Sequence, residues 1–203
     1  MDESLNSIVC IKEEITKKFN KVAQIKSTAK VALGLDLGLS LGYAYALFSP
    51  KELRWHIFSQ AIGSLQLDKG KSETGFTAFL RLITFLDIIN PSYVFYEEVR
   101  FTPDTKTYGG KSPAIVVARV ATSAEIIGAL RQTVLLWANE HEVPTVGIPI
   151  GEIKRVATGS GKATKEDIIN ACNERFGTNF GPHDSDAADA AFVLYSGLLK
   201  LSL

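Results

Sequence analysis

The sequence predicts an α/β fold: one mixed sheet that opens with an antiparallel three-strand meander, continues with two parallel strands, and is covered by helices. Two observations carry this. From Val31 onward, three β-prone runs follow one another with only brief turns between them. After them the apolar pattern alternates between helical spacing and short strand-like runs. A meander followed by such alternation packs as a sheet beneath helices, with right-handed crossovers.

The elements follow in order. Residues 1–30 mix Ile and Val with many Lys and Glu, a pattern for an N-terminal arm or amphipathic helix ahead of a domain at 31–203. Residues 31–36, "GYAYALF" and "LRWHIFSQAI" read as the meander, and the polar stretch "GSLQLDKGKSETG" as a loop. "FTAFLRLITFLDIIN" has helical spacing and stops at Pro91. "YVFYEEV" is a buried strand, residues 113–141 a long helix and "PTVGIPI" the last strand. "GEIKRVATG", "ATKEDIINACNERFG" and "SDAADAAFVLYSGLLKL" read as helices. Gly38 and Gly42 are expected to turn the chain sharply into the second strand and to leave room for a phosphate.

Composition narrows the classes. With 203 residues, 46% of them apolar and 22% charged, the chain suits one domain with a sizeable core. Lys plus Arg and Asp plus Glu both number 22, so any affinity for nucleic acid comes from a local patch. Cys10 and Cys172 fit no metal or redox spacing and read as reduced thiols. The charged start is no signal peptide and no apolar run approaches a membrane span, so the expected place is the cytoplasm, or the host cell's cytoplasm or nucleoid if the chain is phage-encoded.

Two segments imitate a nucleotide-binding P-loop: "GGKS" at 109–112 and "TGSGKAT" at 158–164. The Gly required five residues ahead of the final Gly is Thr105 in one and Val156 in the other, and Lys162 is followed by Ala163. Both read as flexible cationic loops.

Four acids have the placement that metal-dependent phosphodiester chemistry requires. Asp36 and Glu97 each end a strand, and reactive groups gather where parallel strands end. Glu97 lies in "VFYEEVR", where a carboxylate within an apolar strand is costly unless paired or metal-bound. Side chains alternate along a strand, so only one of Glu97 and Glu98 faces Asp36, and Glu97 is the choice. Asp186 and Asp189 are three apart and share one helix face. The competing readings are ordinary ones: Asp184, Ser185 or Asp186 as a helix N-cap, and Asp36 in an Asx turn. Capping does not explain Asp189, which lies a turn further in among alanines. Together the acids form a hard-oxygen set suited to Mg²⁺ or Mn²⁺. His183, three before Asp186, is a loop residue or an aid to deprotonating water.

"GLDLGLSLGYA", "FYEEV", "IKRVATGSGKATKEDI" and "DSDAADAAFVL", in that order, resemble the Holliday-junction resolvases of the RuvC type, especially their phage-like relatives, over residues 31–200. The resemblance implies a ribonuclease H-like fold with a five-stranded mixed sheet, a homodimer, and divalent-metal cleavage of four-way DNA junctions. It implies Asp36, Glu97, Asp186 and Asp189 as metal ligands and catalytic acids. It implies Lys165, with Lys154, near the scissile phosphate, beside the loop that holds Lys162. The loop after the fourth strand contacts the junction in that family; here it carries Arg100, Phe101, Lys106, Tyr108 and Lys111, charge and aromatic faces suited to backbone binding and base stacking.

The expected chemistry is hydrolysis with two cations held roughly 3.5 to 4 Å apart, leaving 5′-phosphate and 3′-hydroxyl ends. Three alternatives stay open: a flap or RNA–DNA hybrid nuclease on the same fold, a catalytically inactive junction-binding protein, and an actin-like ATPase. The ATPase needs two such subdomains and a second phosphate motif, which 203 residues do not offer.

Overall fold

The computed structural model describes residues 9–19, 29–68, 75–99 and 113–201, the stretch 113–122 as helical backbone only. Strands β1 (Val31–Asp36), β2 (Ser40–Ser49), β3 (Arg54–Gln66), β4 (Tyr93–Glu98) and β5 (Thr145–Pro149) form one sheet in the order β3-β2-β1-β4-β5. The first three pair antiparallel; β4 joins β1 in parallel and β5 joins β4 in parallel. Among the described residues six α-helices accompany them: α1 (residues 9–19), α2 (Gly75–Ile89), α3 (Pro113–Glu140), α4 (Ile150–Thr158), α5 (Lys165–Phe176) and α6 (Ser185–Leu201).

Period-two alternation divides the sheet residues between two cores. Leu33, Leu35, Leu41 and Tyr43 face one way and are buried with Leu82 and Phe85 of α2 and Val134 and Trp137 of α3. Ala32, Ala44, Ala46, Phe95 and Ile148 face the other way and are buried with Ile153 of α4, Ile168 of α5 and Phe192 and Leu194 of α6. Burial on both faces explains why β1 is apolar at nearly every position. Fully buried side chains such as Phe85, Phe95 and Phe192 each contribute roughly 1.5–3 kcal/mol.

Residues 9–19 belong to the first of these cores. Ile11, Ile15 and Phe19 recur at i, i+4 and i+8 and are buried. Phe19 meets the edges of Tyr43 and Phe85 with ring centroids 5.2 and 5.0 Å apart, and Lys18 Nζ donates to the Ser64 carbonyl at 2.8 Å.

The sheet departs from the sequence expectation in two places. β3 runs on through "GSLQ", which the composition marks as loop, because the ladder to β2 continues as far as Ser40 opposite Gln66 after a register shift between Ala44 and Ala46. Gly63 fits inside that strand because the space of a Cβ is taken by the Tyr43 hydroxyl, 2.7 Å away.

The second departure is Gly42, which is no turn residue. It lies within β2, opposite Asp36, and a Cβ there would overlap the backbone carbonyl of Asp186. Gly34 repeats the pattern on β1, where a Cβ would stand 2.6 Å from Leu194 N. From the helix side, a Cβ on Gly197 would run into the Phe95 ring. α6 therefore rests on the sheet nearly backbone to backbone, its buried Ala187, Ala188, Ala190 and Ala191 allowing the approach. Only Gly38 remains in the turn between β1 and β2, and it adopts no left-handed conformation there.

Gly42→Ala is expected to lower the unfolding free energy by about 3 kcal/mol or more, because backbone rather than a mobile side chain blocks the new methyl. Gly151→Ala, at a helical position of α4 where a Cβ meets nothing within 4 Å, is expected to raise it by up to about 1 kcal/mol. Urea denaturation followed by circular dichroism measures both.

Candidate active site

The carboxyl ends of β1 and β4 lie side by side. Gly34 pairs with Phe95, so Asp36 and Glu97, each two residues further on, project from the same face as those two. That is the face on which α6 lies; Glu98 projects from the other. The seat provided by Gly42 sets the first turns of α6 against the end of β1, and these turns carry Asp186 and Asp189.

Electrostatics report how close the four acids are. Burial, then the charges of Glu97, Asp189 and Asp186, push the Asp36 carboxyl up to about 8, with Lys165 acting in the opposite sense. Glu97 is pushed up to about 7 by burial and by Asp189, against the pull of Lys154 and Lys165. Asp189 rises to about 6 through burial, countered by Lys165, while Asp186 adds to the rise and Lys154 subtracts from it. Each acid is thus half-buried beside others of its own charge, in a group the two lysines only partly balance.

The lysines have defined supports. α4 ends at Gly159, which is left-handed at φ 80° and whose N–H donates to the Arg155 carbonyl at 2.8 Å. α5 begins with a capping box: Asp167 N–H donates to Thr164 Oγ1 at 3.2 Å, and Thr164 N–H to Asp167 Oδ2 at 2.8 Å. "TGSGKAT" is accordingly a joint between two helices, and the capping box fixes the position of Lys165, the first residue of α5. Lys165 Nζ donates to Ser185 Oγ at 3.5 Å, and Ser185 Oγ donates to Asp186 Oδ1 at 3.2 Å. Ser185 links the cation to the acid, a role that its place among the N-cap candidates did not announce.

The structure therefore brings Asp36, Glu97, Asp186, Asp189, Lys154 and Lys165 together. Lys162 lies apart from them on the exposed joint, its backbone N–H donating to Ser160 Oγ at 3.3 Å. His183 is exposed in the 3₁₀ turn Pro182–Asp184, which Asp184 closes by accepting the Gly181 N–H at 2.9 Å; that bond caps the 3₁₀ turn and not α6. Arg100, Phe101, Lys106, Tyr108 and Lys111 lie outside the described residues.

As a donor set the four acids fit a divalent cation: all are oxygen ligands, and their mutual repulsion is what a bound cation would relieve. Among the described residues no three His, Cys, Asp or Glu side chains are already drawn in to coordination spacing. The acids share an electrostatic neighbourhood without forming a closed cage.

No family model matches the chain. It is 28% identical over 123 residues to the crossover junction endodeoxyribonuclease RuvC of Carboxydothermus hydrogenoformans, covering 61% of this chain and 68% of that protein. It is 33% identical over 78 residues to RuvC of Pseudothermotoga lettingae, covering 38% of this chain and 48% of that protein. It is 35% identical over 71 residues to RuvC of Gloeobacter violaceus, covering 35% and 41%. The chain thus spans about two thirds of the first of these proteins and less than half of the other two. The structure of T. thermophilus RuvC in complex with Holliday junction substrate superimposes with a TM-score of 0.60 at 20% identity, over 84% of this chain and 94% of that one. A second Thermus thermophilus RuvC structure gives a TM-score of 0.55 at 20% identity, covering 82% and 92%.

The raised acids make stability depend on pH. Their folded values lie above the unfolded ones, so the stability they confer is complete below about pH 4 and is lost as pH rises through about 6 to about 8. Asp36→Asn is expected to match wild type near pH 4 and to exceed it by at least about 2 kcal/mol near pH 9 in EDTA. Urea denaturation across that range measures the difference, and a variant less stable than wild type at the alkaline end would contradict the electrostatic reading.

Proposed function

We infer that this chain, a RuvC-type protein, is an endodeoxyribonuclease that resolves four-way DNA junctions by paired nicks. The observation that carries the reading is the meeting of Asp36, Glu97, Asp186 and Asp189 with Lys165 at the carboxyl edge of the sheet. The junction as substrate is supported by the RuvC relatives and by the T. thermophilus RuvC structure with its Holliday junction substrate.

Asp36, Glu97, Asp186 and Asp189 are the residues that would hold divalent metal, Mg²⁺ with Mn²⁺ as a substitute, two ions per site. A cation held by these carboxylates would supply an activated water and positive charge at the scissile phosphate, chemistry that gives 5′-phosphate and 3′-hydroxyl ends. The chain's own contribution is positional. Asp36 and Glu97 stand on adjacent strands of one sheet, whose rigidity fixes their separation. Lys165, anchored by the capping box and steadied through Ser185, presents positive charge where a phosphate oxygen becomes more negative. Lys154 adds a second positive charge at the edge, which lets a polyanion approach a cluster of acids. Lys162, on the joint between α4 and α5, and the sequence-assigned Arg100, Phe101, Lys106 and Lys111 complete the proposed set of DNA-binding residues.

Two symmetric cuts require two sites, and a homodimer supplies them. Phe76 and Ile83 on α2 and Leu136 on α3 leave apolar surface exposed on the sheet side opposite α6, suited to contact between copies. No helix among the described residues is long and apolar enough to cross a membrane, and a cytoplasmic site of action is part of the proposal.

The purified protein with a synthetic four-way junction and Mg²⁺ is expected to nick opposite strands symmetrically, and EDTA to abolish the reaction. Asp36→Asn and Asp189→Asn are expected to lose at least about 10³-fold in rate, and Lys165→Gln about 10²-fold. Because Asp36→Asn is expected to be the more stable protein, its loss of rate would not reflect unfolding. Undiminished nicking by the Asp variants, or a preference for flap or hybrid substrates in competition, would contradict the assignment.

A further inference from the structure

Arg131, on α3, borders a cleft of about 150 Å³ beside the acids, with Glu97 and Val99 at the end of β4 and Leu37 just after β1 among its walls. Its Nε is buried and, among the described residues, has no hydrogen-bond partner. Leaving a buried charged donor unsatisfied costs free energy, which native folds avoid unless an acceptor arrives from outside. Glu97 lines the same cleft but is no substitute partner: the cations that act on it are Lys154 and Lys165. The remaining walls include Leu37, Val99 and Ile127, apolar groups that strengthen any charge–charge contact made between them. At Gly128, one turn before Arg131, a Cβ would meet no atom of the described residues within 4 Å.

We propose that Arg131 and this cleft form a phosphate subsite on the α3 side of Glu97, seating the backbone phosphate next to the scissile one. A guanidinium presents parallel N–H donors that match two phosphate oxygens, a pairing that a lysine makes only as a point charge. The cleft borders Glu97, so a strand held there stays in reach of the acids, and its phosphate meets Arg131 away from Lys154 and Lys165. The subsite rests on the nuclease reading for the identity of its ligand. Its anion-binding chemistry does not depend on that reading.

The test compares wild type, Arg131→Gln and Arg131→Lys by two probes. In thermal unfolding with EDTA, inorganic phosphate is expected to raise the Tm of wild type and not that of Arg131→Gln, whose own Tm equals or exceeds wild type because the unsatisfied charge is gone and a neutral amide can turn either end to its surroundings. In junction binding with Ca²⁺ across a salt series, Arg131→Gln is expected to bind about tenfold more weakly and to lower the slope of log K against log salt by about one, while Arg131→Lys keeps the slope. A phosphate response and a salt slope unchanged in Arg131→Gln would overturn the subsite. A Tm for Arg131→Gln several degrees below wild type, restored by Arg131→Lys, would overturn it too, by making Arg131 a structural cation. Failure of wild type to bind or nick the junction would overturn the nuclease reading instead, with the phosphate arm still deciding on the subsite.

Discussion

The close approach of α6 to the sheet is the constraint on which the rest of the molecule depends. Helices ordinarily stand off a sheet by the thickness of their side chains, and here Gly34 and Gly42 on the strands and Gly197 on the helix remove that spacer. The consequence is both structural and chemical. Phe192, Leu194 and Leu198 reach into a core shared with Phe95 and Ile148. The same seat presses the start of α6 against the end of β1, so that Asp186 and Asp189 join Asp36 and Glu97. A helix displaced outward by one methyl would still cover the sheet and would no longer complete the group of acids.

That group is held against its own repulsion. Asp36 and Glu97 sit above their ordinary range chiefly because they are buried, and secondarily because the other acids are near. Such strain persists where the surrounding fold over-determines it, and here two buried cores on either face of β1 do so. α1 contributes to the core on the far face, where Phe19 closes against Tyr43 and Phe85. The cationic side is built differently, from helix termini: an αL glycine ends α4, a capping box opens α5, and Lys165 is placed by the second of these. Rigid strands fix the acids and caps fix the lysine, which divides the positioning between two independent devices.

Much of this was legible in the sequence because it depends on short-range periodicity. Alternation in "VFYEEVR" selects Glu97 over Glu98, and the parallel register of β4 on β1 sets it beside Asp36. Spacing of three places Asp186 and Asp189 on one helix face. What depended on tertiary contact was not legible. Gly42 sits near Gly38 in a stretch that looks like a turn, and only the backbone of Asp186, distant in sequence, gives it its purpose. "GSLQ" carries loop composition yet continues β3, since its conformation is set by the ladder to β2. Ile11, Ile15 and Phe19 had the right spacing for a packed helix, but their partners Tyr43 and Phe85 lie on other elements. Ser185 was legible only as a cap candidate, not as the bridge between Lys165 and Asp186, and Arg131 escaped notice, because neither residue type is informative until its neighbours are known.

The most direct measurement of the site is a calorimetric titration of Mg²⁺ into the metal-free protein at pH 7, in two buffers of different ionisation enthalpy. With Asp36 at about 8 and Glu97 at about 7, both carboxyls carry much of their proton at that pH and must surrender it to bind a cation. Saturable binding with release of about one to two protons per site, reduced in Asp36→Asn, is the predicted result. Absence of saturable binding, or binding whose heat is the same in both buffers, would contradict the acids as a metal centre.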